Sequence, residues 1–106
     1  MSYNLNNLFP KPSTYRSSPV ADQRLAVANV AVQFSAFSDT SNMVMFDVQD
    51  NDVFATIDGS SPTTSNGHRL YNGRSYTWST AMASAAKFIA ATTSTAAAVH
   101  LSELQL

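Results

Sequence analysis

Apolar residues recur at every second position over several short stretches of this chain, and that period constrains its fold more than any other feature. In RLAVANVAVQFSAF, from Arg24, residues Leu25 and Val27 and then Val30, Val32 and Phe34 alternate with small or polar residues. The phase breaks near Ala28-Asn29, which predicts two strands or one bulged strand. NMVMFDVQD predicts a strand over Met43 to Val48. The group Asp50-Asn51-Asp52 reads as a turn, because Asx side chains bond their own backbone and tolerate left-handed geometry. VFATID then reads as the returning strand, making residues 43–58 a hairpin. Further on, Tyr76 and Trp78 alternate with polar partners, as on a half-buried strand.

The segment from Thr80 to Ala98 is harder to assign. Its nine alanines between Ala81 and Ala98 favour helix, while Ser79-Thr80, Ser84 and the β-branched run TTST oppose one long helix. The reading is a helical turn near 81–86, a strand KFIAA, a turn at Thr92 to Thr95 at hairpin spacing, and a last strand AAVHLSEL. That strand puts Ala97, Val99, Leu101 and Glu103 on one face. Six to eight short strands at this spacing predict an all-β domain, a small antiparallel β-sandwich or jelly-roll-like barrel. A mixed α+β fold is the alternative if the Ala-rich segment is helical throughout.

All three glycines and one of the four prolines fall within FATIDGSSPTTSNGHRLYNG, residues 54–73. Asp58-Gly59 turns the chain, and Pro62 fixes its own φ and extends Ser61. Asn66-Gly67 and Asn72-Gly73 are two more tight turns around a short strand centred on Leu70. Asp58, Gly59, Pro62, Gly67 and Gly73 are therefore structural residues of a crossover, and its His68 and Tyr71 are candidates for contact with a partner.

Residues 1–20 differ from the rest. Pro10, Pro12 and Pro19 forbid a helix and interrupt any ladder, so these residues read as an extended arm preceding a single domain over 21–106. Tyr3, Leu5, Leu8, Phe9 and Tyr15 are more apolar groups than a solvated tail needs, which predicts an arm that lies on its own domain or on a neighbour.

Composition narrows the function. Only 12% of the residues are charged and the net charge is -1, about half the usual ~25% charged share, so little keeps copies apart and the surface suits an assembled protein. Six scattered basic residues argue against nucleic acid as a partner. No apolar run reaches the ~18 residues of a membrane span. The opening MSYNLNNLFPKPSTY lacks the basic and apolar regions of a signal peptide. Cysteine is absent, which fits synthesis in a reducing cytoplasm and removes disulfides and zinc–thiolate sites.

Chemical motifs are weak. His68 and His100 are the only imidazoles. Neither sits in a nucleophile motif; the first reads as a turn residue and the second as a surface or cross-strand contact. Asp47, Asp50, Asp52 and Asp58 flank the expected hairpin without the spacing of a calcium loop, so no metal or other cofactor is expected. Glu103, the only glutamate, has no partner carboxylate in an apolar pocket. Tyr71, Tyr76 and Trp78 could form a platform for a sugar ring, or serve as core or interface anchors. A non-enzymatic protein is the expectation.

The order of VQFSAF, VMFDVQDNDVFATIDGSSPT, SNGHRLYNGRSYTW, AAKFIAA and AAVHLSEL, over roughly residues 24–104, resembles the small β-sandwich structural proteins of tailed bacteriophages. The most specific element is TIDGSSPT followed by NGHRL and then KFIAA, a motif of architecture with no chemistry attached. The resemblance implies a virion component, made in the host cytoplasm. The preferred version is a capsid cement or decoration protein that binds the major capsid protein and forms a homotrimer. A head-to-tail or tail-associated protein and a carbohydrate-binding module are the alternatives.

Overall fold

A computed structural model describes residues 18–92 and 94–106. Seven strands and one short helix follow in order: β1 Ser18–Val27, β2 Met43–Gln49, β3 Val53–Thr56, β4 His68–Leu70, β5 Ser75–Ser79, α1 Thr80–Ala85, β6 Lys87–Ala90 and β7 Ala97–Gln105. They form two antiparallel sheets, a four-stranded one ordered β1-β7-β2-β5 and a three-stranded one ordered β4-β3-β6. The expected all-β, sandwich-like fold is what the chain adopts.

The alternation writes the inner faces. Val44, Phe46 and Val48 of β2 are buried, as are Val99, Leu101 and Glu103 of β7. Register aligns them in rows across the larger sheet, with Tyr76 opposite Phe46 and Trp78 opposite Val44 on β5. The facing sheet contributes Val53, Ala55, Leu70, Phe88 and Ala90. Phe34 and Phe37, on the long connection from β1 to β2, join this core. That connection is bonded to the larger sheet: Ser38 N donates to Glu103 at 2.8 Å and Ser35 N to Gln23 Oε1 at 3.0 Å. The buried carboxylate at Glu103 thus serves as an acceptor for loop backbone, on the face expected for it.

Several local expectations change. Residues 43–58 do not form a hairpin, because β2 and β3 belong to different sheets. Both sides of β2 are taken by β5 and β7, so the chain turns a corner at Asp50, whose φ is 75°, and Val48 and Val53 enter the core from opposite layers. The last two strands likewise divide: β6 pairs with β3, and β7 with β1 and β2. β1 begins at Ser18, inside the residues expected to be arm. Pro19 lies opposite Leu104 beside a register shift, which an edge strand tolerates because no ladder partner needs its N–H. The phase break after Val27 separates β1 from a bridge between Val32 and Phe88, and Val30, between them, is 68% exposed. β3 stops at Thr56, so Ile57 lies beyond the strand.

The Ala-rich segment divides close to where its sequence suggests. The Ser79 side chain caps α1 by accepting from Met82 N at 3.1 Å, and Ala86 returns to extended backbone (φ −76°, ψ 142°) so that Phe88 can enter the core. Ala83 and Ala86 are fully buried.

Asn51 holds two corners together. Its Nδ2 donates to Thr92 O at 3.3 Å and Thr95 O at 2.8 Å, tying the β2–β3 turn to the β6–β7 turn, while Ala91 N donates to Asp52 O at 2.8 Å. Asn51→Ala is expected to destabilise the domain by about 1–2 kcal/mol, seen as a lower urea midpoint with an unchanged slope.

Candidate functional site

The side of the sandwich where β4 and β5 end their sheets brings the exposed Ile57, Arg69, Tyr71 and Arg74 together. Three features built from the glycine-bearing stretch place it. Asp58 and Gly59 turn the chain out of β3, with Gly59 at φ 87°. Thr63 and Asn66 then close a two-residue turn through N–H···O bonds of 2.9 and 3.2 Å, beside a buried Pro62. Gly67, at φ 142°, brings the backbone so close to β3 that a Cβ there would sit 3.1 Å from Ala55 O and 3.3 Å from Ala55 N.

Cross-strand register then makes a stacked ladder. Phe54 of β3 lies opposite Arg69 of β4, and the Arg69 guanidinium lies 5.5 Å from the Phe54 ring centre and 5.7 Å from that of Tyr71. Arg74 covers Tyr71 as well, at 5.4 Å. Asp52 braces the ladder: Oδ2 accepts from Arg69 Nε at 3.0 Å and Nη2 at 2.7 Å, and Oδ1 accepts from Asn72 N at 2.7 Å. The Asn72 N–H first, and then Arg69, hold the Asp52 carboxyl below its ordinary value of 3.8. Gly73, at φ 84°, occupies the third position of the turn closed by Arg74 N to Tyr71 O at 3.1 Å, as a type II turn requires.

Next to the ladder runs a groove of two adjoining cavities that share Ile57 and His68. One, about 350 Å³, is bordered by Thr56, Asp58, Ser60 and Asn66. The other, about 330 Å³, is lined by Ile57, His68, Leu70, Trp78 and Met82. Asp58, Ser60 and His68 therefore border one cavity, but their bonding is wrong for nucleophile activation. Ser60 donates its hydroxyl to Asp58 Oδ1 at 2.5 Å and its N–H at 3.0 Å, and these bonds hold the Asp58 carboxyl below 3.8. An activated serine donates to an imidazole instead.

The expected residues are thus divided. His68 lines the groove and Tyr71 carries the ladder, 47% exposed. Tyr76 and Trp78 do not form a platform with Tyr71, because their rings pack on Phe46 at 5.5 and 4.8 Å. The Tyr76 hydroxyl accepts from Tyr71 N at 2.8 Å. The aspartates take separate partners: Ser75 for Asp47 at 2.6 Å, Arg24 for Asp50 at 3.7 Å, Arg69 for Asp52 and Ser60 for Asp58. Among the described residues no group of three or more His, Cys, Asp or Glu could hold a metal ion. His100 makes a cross-strand approach of 4.0 Å to Asp22. Tyr3, Leu5, Leu8, Phe9 and Tyr15 lie outside the described residues. Sequence reasoning missed Phe54, Arg69, Arg74 and Met82; a period of two already aligned Arg69 with Tyr71, but Phe54 and Met82 needed register.

These features define an all-β sandwich-like domain whose β4–β5 side carries an ordered Arg–Tyr stack beside a groove. No known protein family, curated protein or solved structure matches the chain.

Two measurements probe this side. Gly67→Ala combines a strained φ with backbone contacts that cannot yield, and is expected to cost about 2–3 kcal/mol. Gly59→Ala and Gly73→Ala meet nothing within 4 Å and should cost only the ~1–2 kcal/mol of left-handed backbone; thermal melts rank the three. For Asp52 the sign follows from its lowered folded value. Its contribution is complete above the ordinary 3.8 and is lost as pH falls through the lower folded value. Asp52→Asn should therefore be less stable than the parent at neutral pH and lose less on acidification, as read from urea midpoints between about pH 6 and 2.

Proposed function

We propose that this chain is a virion structural protein of a tailed bacteriophage, a capsid cement or decoration protein that bridges major capsid subunits and acts as a homotrimer without catalysis. The observation that carries the reading is the exposed Arg69–Tyr71–Arg74 ladder. Tyr and Arg are the residue types that dominate binding energy at protein interfaces, and here they are held in place before any partner arrives. Asp52 fixes one guanidinium and the Asn72-Gly73 turn fixes the ring, so less side-chain entropy is lost on docking.

The weakly charged surface supports the same reading. With 12% charged residues, long-range repulsion between copies is small and crowding on a lattice costs little. Each copy needs to bury only a modest interface, of order 1,600 Å² or less. Symmetry then supplies avidity through many simultaneous contacts.

The test is the copy number in purified particles, by quantitative mass spectrometry. Hundreds of copies per particle support the capsid role. About six or twelve, the numbers of a ring at a symmetric portal, would move the protein to the neck or tail. The double variant Tyr71→Ala/Arg74→Ala is expected to weaken particle binding about 30-fold, the equivalent of a 2 kcal/mol hot spot. Its melting temperature should be essentially that of the parent, because the Tyr71 ring is half exposed. Unchanged occupancy would remove the ladder from the interface.

A further inference from the structure

The groove between β4, β5 and α1 leaves apolar surface open at the edge of an otherwise filled core. Leu70 is 5% exposed and Ile57 38%, and Trp78 and Met82 are half-buried beside them. We propose that this groove is the seat of the chain's own N-terminal segment Leu5-Asn6-Asn7-Leu8-Phe9.

Topology brings the two together. Ala21, Glu103, Val44 and Trp78 lie in one row straight across the larger sheet, and Ser18 pairs with Gln105 just beyond it. β1 therefore begins at the same end as the groove, on the opposite edge. Three strand spacings separate the edges, about 14 Å at 4.8 Å each. Residues 10–17, with Pro10 and Pro12, reach about 25 Å at the ~3.1 Å per residue of extended proline-rich chain. Residues 5–9 can thus arrive at the groove with slack to spare. A tether of this length also keeps the segment at high effective concentration, which favours its own groove over a neighbour's.

The chemistry matches in both halves. Leu5-Asn6-Asn7-Leu8-Phe9 carries no charge. Leu8 and Phe9 suit the cavity lined by Ile57, Leu70, Trp78 and Met82, where burying each side chain removes apolar surface from water on both partners. Asn6 and Asn7 suit the adjoining cavity, whose border of Thr56, Asp58, Ser60 and Asn66 offers hydroxyl, carboxylate and amide groups.

The chain contains its own reporter, since Trp78 is the single tryptophan and there is no cysteine. In the full chain, Leu5→Ser/Leu8→Ser/Phe9→Ser is expected to shift Trp78 emission to the red and to raise its quenching by acrylamide, with far-UV circular dichroism unchanged. Adding a peptide of residues 3–12 should reverse both changes saturably. An emission spectrum identical to the parent's would overturn the proposal. Independently of that variant, Asn7→Cys labelled with a naphthalene acceptor should show strong energy transfer from Trp78 in dilute solution. Transfer should be unaffected when the labelled protein is mixed with excess unlabelled Trp78→Phe chain. Weak transfer would overturn the proposal. Transfer that appears only with rising concentration, or falls on mixing, would overturn it in favour of exchange between copies.

Discussion

The fold depends on the packing of one ring. Phe46 sits at the centre of the larger sheet's inner face, 1% exposed, with ring centres of Trp78, Tyr76, Phe88 and Phe34 at 4.8, 5.5, 6.2 and 6.4 Å. Those rings come from β5, from β6 of the facing sheet and from the β1–β2 connection. One side chain therefore joins both layers and the loop between them. Burial of a Phe stabilises by ~1.5–3 kcal/mol, and each well-formed aromatic pair adds ~0.5–1.5 kcal/mol. In a domain of this size that is a sizeable share of a net stability of about 5–15 kcal/mol. The geometry mixes edge-on contacts, at 78° for Trp78 and Phe88, with one stacked contact at 26° for Tyr76. That mix packs four rings against a fifth.

Filling the centre in this way obliges the chain to cross between layers. Among the described strands, β3 and β4 are the only sequential neighbours that pair; β1 and β2 share the larger sheet with β7 between them, and the other four links pass from one sheet to the other. Such corners expose backbone groups that a hairpin would satisfy, and side chains take over that work. Asn51 bonds two carbonyls of the opposite corner, Asp52 bonds Asn72 N and Arg69, and Glu103 bonds Ser38 N. No buried side-chain polar atom among the described residues is left without a partner. Polar groups that look like turn formers or candidate ligands along the sequence are thus largely committed to closing the sandwich.

This division explains what could be read in advance. Strand positions were legible because Val44, Phe46, Val48 and Val99, Leu101, Glu103 keep a strict period of two, and the division of the Ala-rich segment was legible because Ser79-Thr80, Ser84 and the run TTST oppose one long helix. Pairing was not legible. Met43 to Thr56 has the local pattern of a hairpin, and only the presence of β5 and β7 on both sides of β2, tens of residues away, excludes it. The same limit applies to the contact side. His68 and Tyr71 stood out through their own turns, whereas the stack of Arg69 on Phe54 and the approach of Met82 to Trp78 arise from register and from the path of α1. Tyr76 and Trp78 show the converse error, since an aromatic that could stack on a ligand is indistinguishable by type from one that stacks on Phe46.

The two lateral edges of the sandwich are built differently. The β1 edge carries Pro19, a register shift beside it, and the charged residues Asp22 and Arg24, all devices that discourage a further strand from pairing. The β4–β5 side carries a three-residue strand, an exposed tyrosine between two guanidiniums and an apolar groove. With so few charges elsewhere, long-range electrostatic steering is weak, and what this side offers is short-range shape and stacking. With one edge closed to β-pairing and the opposite side rich in stacked Arg and Tyr, the sandwich offers side chains rather than an open strand on that opposite side.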